Sequence, residues 1–199
     1  MSKKFQNKYR IESNRLKNWD YAQDATYFIT ICTKNMTHYF GKIINGEMNL
    51  SELGKITHSE WLKTIELRPD MNITFGEFII MPNHFHAIIS IGENQYNSIH
   101  ARDALQDNEK NISPISTDAL QCVSCDNGKN IFVPQRKNLA SITRGFKGAI
   151  TRNARRRDIT FNWQPNYHDR IIWNQKAFYN ISKYIINNPK KWSDDEHHN

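Results

Sequence analysis

"NITFGEFIIMPNHFHAIISI", residues 72 to 91, decides the fold. It holds two runs rich in β-branched and aromatic residues, joined at Pro82-Asn83, where a tight turn fits. Two strands are predicted here. Side chains alternate along a strand, so His84 and His86 point the same way and Phe85 points the other. Two imidazoles then converge on one point. They are either core histidines bonded to backbone or two ligands of one metal ion, and spacing leaves both readings open.

The neighbouring segments supply the rest of a sheet. "TYFITICT", 26 to 33, predicts a strand, and "YFGKIINGEMNLS", 39 to 51, a hairpin turning at Asn45-Gly46. "SELGKITHSEWLKTIELRP" carries Leu53, Ile56, Trp61, Leu62 and Ile65 as a helical stripe, despite Gly54. In "LASITRGFKGAITRNARRR", 139 to 157, Leu139, Ile142, Phe146 and Ile150 recur at helical spacing. "YHDRIIW" reads as a last strand, and "NQKAFYNISKYIINNP" as a final helix stopped near Pro189. With the hairpin set aside, the order is βαββαβ plus a helix. That is an α+β, ferredoxin-like antiparallel sheet with an extra C-terminal helix.

Residues 1 to 25 read as a basic N-terminal arm, 26 to 192 as a single domain, and 193 to 199 as an acidic tail. From about 93 to 133 the apolar pattern gives way to Asn, Asp, Ser and Gln, which reads as an inserted polar loop. Three cysteines make no disulfide scaffold, and Cys122-x-x-Cys125 lacks the second pair a zinc site needs. No window reaches the roughly 18 apolar residues of a membrane span, so no membrane partner and a cytoplasmic location are expected.

The net charge of +7 is concentrated. Between Asp126 and Asp158 no acidic residue occurs, while Arg144, Lys147, Arg152, Arg155, Arg156 and Arg157 fall in that window. A one-signed block suits a polyanion such as nucleic acid, although a solvated helix face reads the same way. On the last helix Tyr184 and Asn188 are i and i+4, hence on one face. An amide oxygen is a reasonable third ligand for Mg²⁺ or Mn²⁺ beside the two imidazoles, and a phenol one turn away could meet the open side. The bland alternatives are helix packing for Tyr184 and a C-cap for Asn188.

"MPNHFHAII" together with "WQPNYHDRIIWNQKAFYNISKYIINNPKKW" resembles the IS200-type single-tyrosine (Y1) transposases, and among them the REP-associated tyrosine transposases. The likeness spans roughly 15 to 92 and 134 to 192, including "YFITICT" and "ITRGFK". It implies a bacterial, nucleoid-associated single-strand DNA endonuclease and strand transferase, acting beside short palindromic hairpins. His84 and His86 match the family's His-hydrophobic-His metal pair, and Tyr184 matches the nucleophile that forms a 5′-phosphotyrosine. Asn188 matches the third metal ligand. Here the chain departs from the insertion-sequence enzymes, which carry Gln, one methylene longer, whereas the REP-associated branch accepts Asn. Tyr167 and Tyr179 are rival nucleophiles, Tyr179 lying about 140° around the helix from Tyr184. Within the resemblance, the six basic residues named above become candidate DNA contacts, and a homodimer is possible. A catalytically silent protein that binds palindromic repeats is the alternative.

The polar loop holds one more feature. "TDALQCVS", 117 to 124, can be encoded by codons that equal their own reverse complement, and "DALQ" also occurs at 103 to 106. The loop is therefore expected to be a translated palindromic element, tolerated because added loop length costs little entropy. Synonymous codons that break the inverted repeat would end that reading.

Overall fold

Alternation builds the sheet from its centre. In β1 (Ala25–Cys32), Tyr27, Ile29 and Ile31 face one way and are fully buried, while Phe28, Thr30 and Cys32 face the other. β1 pairs antiparallel with β5 (His84–Ile91) on one side and β6 (His168–Ile172) on the other, and β4 (Ile73–Ile80) pairs with β5. The resulting order, β4-β5-β1-β6, is that of the ferredoxin-like sheet. The computed structural model describes Leu16 and residues 19–98 and 136–194. Over them the α+β expectation holds. β2 (Gly41–Ile44) and β3 (Glu47–Leu50) form the separate hairpin, with Asn45 at φ 52° and Gly46 at φ 76°, the left-handed pair a tight turn needs.

Each face of the sheet receives helices. α1 (Glu52–Glu66) and α2 (Leu139–Arg155) cover the face of Tyr27, Phe85, Ala87 and Ile89. Trp61 anchors that layer, stacked on Phe75 at 4.4 Å and edge-on to Phe85 at 4.9 Å and Phe146 at 5.1 Å. Leu139, Ile142, Phe146 and Ile150 are all buried, as their spacing predicts. The stripe read on α1 needs correction: Leu53, Thr57, Trp61 and Thr64 are its buried face, and Leu62 and Ile65 are exposed. Thr57 and Thr64 can be buried because each hydroxyl donates to the carbonyl four residues earlier.

α3 (Gln175–Asn187) lies on the opposite face, against Ile88 and Ile172 through Ile185, Phe178 and Ile181. Gly76 permits this approach: a Cβ there would meet the Ile88 side chain at 2.9 Å and the Phe178 ring at 3.2 Å. The register of β4 also shifts between Phe75 and Phe78, a local bulge at the same point.

Of the segment read as an arm, Tyr21 and Ala22 are buried, with Tyr21 stacked on Tyr27. The segment read as an insertion starts within the fold. Asn97 is buried and donates to the carbonyls of Ala22 and Gly92. Tyr96 donates to Asp70 Oδ2 at 2.7 Å, and the Lys137 ammonium pairs with the same oxygen, so one carboxylate holds residues on both sides of the polar stretch. Those hydrogen bonds, first from Lys137 and then from Tyr96, hold the Asp70 carboxyl below its ordinary range. The Cys122-Cys125 pair, "TDALQCVS" and the first "DALQ" lie outside the described residues, as does most of the acidic tail. Among the described residues no helix is long and apolar enough to cross a membrane.

Candidate active site

His84 and His86 occupy the sheet face that carries α3, both buried, with ring centroids 4.4 Å apart. A neighbour meets each ring at Nδ1. Asn83 Oδ1 lies 2.9 Å from His84 Nδ1, and this oxygen only accepts, so Nδ1 carries the proton and Nε2 the lone pair. Thr30 Oγ1 lies 2.9 Å from His86 Nδ1, placed there by the β1–β5 register that pairs Thr30 with His86. The Pro82-Asn83 turn is held in turn by Phe40, which donates to Pro82 O, and by Thr33, which donates to Asn83 O.

The packing of Phe178, Ile181 and Ile185 fixes α3 so that Tyr184 reaches over the pair. Its hydroxyl is 3.2 Å from His86 Nε2 and the two rings are 5.3 Å apart. Phe28 lies beside both, stacked on His86 at 5.2 Å and edge-on to Tyr184 at 6.2 Å. Asn188, one turn beyond Tyr184, is the buried C-cap of α3, and Trp192 in the 3-10 stretch that follows lies 5.9 Å from the His84 ring. Tyr179 is exposed with the Lys183 ammonium 4.3 Å above its ring, and Tyr167 lines a cleft near Thr30.

The paired imidazoles are two donors of the kind a divalent cation takes. In the tautomer fixed for His84 and available to His86, two neutral imidazoles direct Nε2 lone pairs from one strand face. Among the described residues no group of three or more His, Cys, Asp or Glu could hold a metal; the set read from the sequence is two imidazoles and an amide. With no carboxylate among those donors, an ion's charge would stay uncompensated and open to a phosphate oxygen.

The basic residues fall differently. α2 belongs to the layer across the sheet from the histidines. Arg144, Arg152, Arg155 and Arg156 are exposed, but Arg157 pairs with Glu52 at 2.9 Å. Lys147 is half-buried and donates to the carbonyls of Gln164 and Asn166, each at 2.8 Å. Burial pushes its ammonium down to about 8, with the Cys32 thiol acting the other way. Two residues that sequence reading passed over share the histidine face. His168 aligns with Thr30, which aligns with His86, and Arg170 follows on the same side, both exposed. The same alternation rule, applied to "YHDRIIW", would have found them.

No protein-family model matches the chain. It is 36% identical over 188 residues to a Haemophilus influenzae protein described as uncharacterized, covering 92% of this chain and 91% of that one. The structure is similar to a REP-associated tyrosine transposase bound to a REP hairpin, with TM-score 0.51 and 15% identity over 89% of this chain and 74% of that chain. A putative transposase from Deinococcus radiodurans aligns with TM-score 0.35 and 11% identity, covering 87% and 95% of the two chains.

Proposed function

We propose that this chain, which belongs to one family with the Haemophilus influenzae protein and has the fold of a REP-associated tyrosine transposase, cuts and rejoins single-stranded DNA beside short hairpins. The observation that carries the reading is the 3.2 Å approach of the Tyr184 hydroxyl to His86 Nε2 on the face shared with His84. Helix packing alone would not require the phenol to end on an imidazole. A silent repeat-binding protein would have no use for that arrangement.

In this reading Tyr184 Oη attacks the scissile phosphorus, a P–Oη bond replaces the P–O3′ bond, and the departing 3′ oxygen takes up a proton. Bond type is unchanged, so a 3′-hydroxyl can later reverse the exchange without ATP. Phenol, with an ordinary pKa of about 10, is a weak nucleophile at neutral pH. His84, His86 and Asn188 are the proposed holders of Mg²⁺ or Mn²⁺, which would withdraw charge from the phosphoryl oxygens. Asn83 keeps the His84 imidazole in the required tautomer, and the Thr30 hydroxyl, able to donate or accept, is compatible with the same tautomer at His86. Phe28 limits water on one flank of the phenol. The arginines of α2, on the other layer, are proposed to meet DNA away from the cut.

The test is cleavage of single-stranded hairpin DNA by wild type and Tyr184→Phe. Wild type should nick with Mg²⁺ or Mn²⁺, stop with EDTA, and leave a covalent protein–DNA band. Tyr184→Phe should lose at least about 10³-fold in cleavage while binding the same DNA, the scale of losing a catalytic nucleophile. Continued nicking by that variant would remove Tyr184 from the chemistry.

A further inference from the structure

Beside the histidine pair the sheet opens into a cleft of about 300 Å³, lined by Thr30 and Cys32 of β1, His168 of β6, and Gln164, Asn166 and Tyr167 of the preceding loop. We propose that this cleft seats one unpaired nucleobase of the strand being cut, which deepens the single-strand DNA reading and rests on it.

Position is the first argument. Thr30 lines the cleft and also holds His86 Nδ1 at 2.9 Å, so a ligand there lies one residue from the histidine. The cleft and the proposed nucleophile are on the same sheet face. A base next to the scissile phosphate could reach it without the strand crossing an element.

The loop is built to keep its shape. Lys147 donates to the carbonyls of Gln164 and Asn166, Gln164 N donates to Cys32 O at 2.9 Å, and Trp163 Nε1 donates to Lys147 O at 3.1 Å. Asn166 is held at φ 65°, a left-handed conformation. A half-buried lysine from the other layer thus serves as the loop's strut, which accounts for a basic residue turned away from solvent. Such pre-ordering removes entropy that a bound ligand would otherwise have to overcome.

Chemistry then selects the ligand. The lining residues are two primary amides, an imidazole, a phenol, a hydroxyl, a thiol and the apolar ring of Pro165, with no carboxylate, lysine or arginine among them. A phosphate would call for fixed positive charge and a cation for fixed negative charge. A planar, uncharged heterocycle with donors and acceptors on its edge matches the set. Amides pair with base edges, and aromatic rings such as Tyr167 and His168 stack on base faces. Arg170, exposed two residues beyond His168 on the same side, is available to the phosphate of that nucleotide.

Fluorescence anisotropy of the full chain with labelled dT, dA and dC homo-oligonucleotides, and an abasic oligomer of equal length, tests the cleft. Wild type should bind at least one homo-oligomer about five- to a hundredfold more tightly than the abasic strand, the range of one stacked base. Gln164→Ala combined with Asn166→Gly, which removes the edge contacts and leaves the rings, should lower that ratio about two- to tenfold, the worth of one ordinary hydrogen bond, while leaving abasic binding unchanged. Both side chains are exposed, and glycine accepts the left-handed φ, so this variant keeps the fold. An unchanged ratio in the variant, or no preference in wild type, overturns the base seat and leaves the cleavage reading to the Tyr184→Phe result. Failure of wild type to bind any strand, the abasic one included, overturns both.

Discussion

In the tautomer that a metal ligand requires, His86 Nε2 offers one lone pair, and the Tyr184 hydroxyl 3.2 Å away is placed to donate to it. A metal ion bound at the same nitrogen would compete with the phenol for it. Removing the hydroxyl should therefore ease metal entry. Titration of Mn²⁺ followed by electron paramagnetic resonance should give Tyr184→Phe an affinity about two- to tenfold above wild type, the worth of one ordinary hydrogen bond. Equal affinity would show that the phenol and the ion do not share the nitrogen. The pairing of His84 with His86 was legible because it needs only the two-residue repeat of a strand. Their partners divide in two: Asn83 is adjacent in sequence, whereas Thr30 meets His86 across 56 positions through strand register, which local pattern does not encode.

Helix phase was legible where the stripe was long and ambiguous where it was short. α2 spaces four apolar residues over three turns and all are buried. On α1 the apolar set Leu53, Ile56, Trp61, Leu62 and Ile65 fits two phases, and Trp61 decides between them. Its ring stacks on Phe75, which turns Leu62 and Ile65 outward and brings Thr57 and Thr64 in. Trp61→Ala should cost about 3–5 kcal/mol in urea unfolding and Leu62→Lys under about 0.5 kcal/mol. A comparable loss from Leu62→Lys would mean that α1 buries the face read from sequence. Lys147 shows the opposite limit, because a basic residue in a basic helix gives no sign that it turns inward. Its ammonium titrates near 8 when folded and at 10.5 otherwise, so between those values the unfolded chain binds more protons. Stability attributable to Lys147 therefore rises with pH across that window and is lowest below it. Relative to Lys147→Met, wild type should gain unfolding free energy from about pH 8 to 10, and a flat difference would place the ammonium in solvent.

The sheet divides the described residues into a larger packing side and the side that carries the histidine pair. One face carries α1, α2 and the larger core, and the other carries α3, the histidines and the cleft. Element order gave this architecture from the sequence, since βαββαβ admits few right-handed layouts. Which side the basic helix would cover depends on where its apolar stripe docks, and that stripe fits the Trp61 layer. The arginines consequently stand across the sheet from Tyr184. A strand touching both would have to pass around an edge, and β6, with His168 and Arg170, is one such edge. Asp70 binds Tyr96, ahead of the undescribed part of the polar stretch, and Lys137, behind it. Replacing residues 99–135 with about eight Gly/Ser residues, a length whose coil spans roughly 15 Å, should leave thermal unfolding and hairpin cleavage within twofold of wild type. Collapse of the shortened chain would make that stretch part of the fold.

One carboxylate fastening residues 41 positions apart, Tyr96 and Lys137, has a mechanical corollary. Strand register on either side then depends on a short-range ionic and hydrogen-bonded clasp, not on the length of the intervening chain. Asp70 is thus a mooring post, holding Tyr96 and Lys137 at one point whatever the length of chain between them.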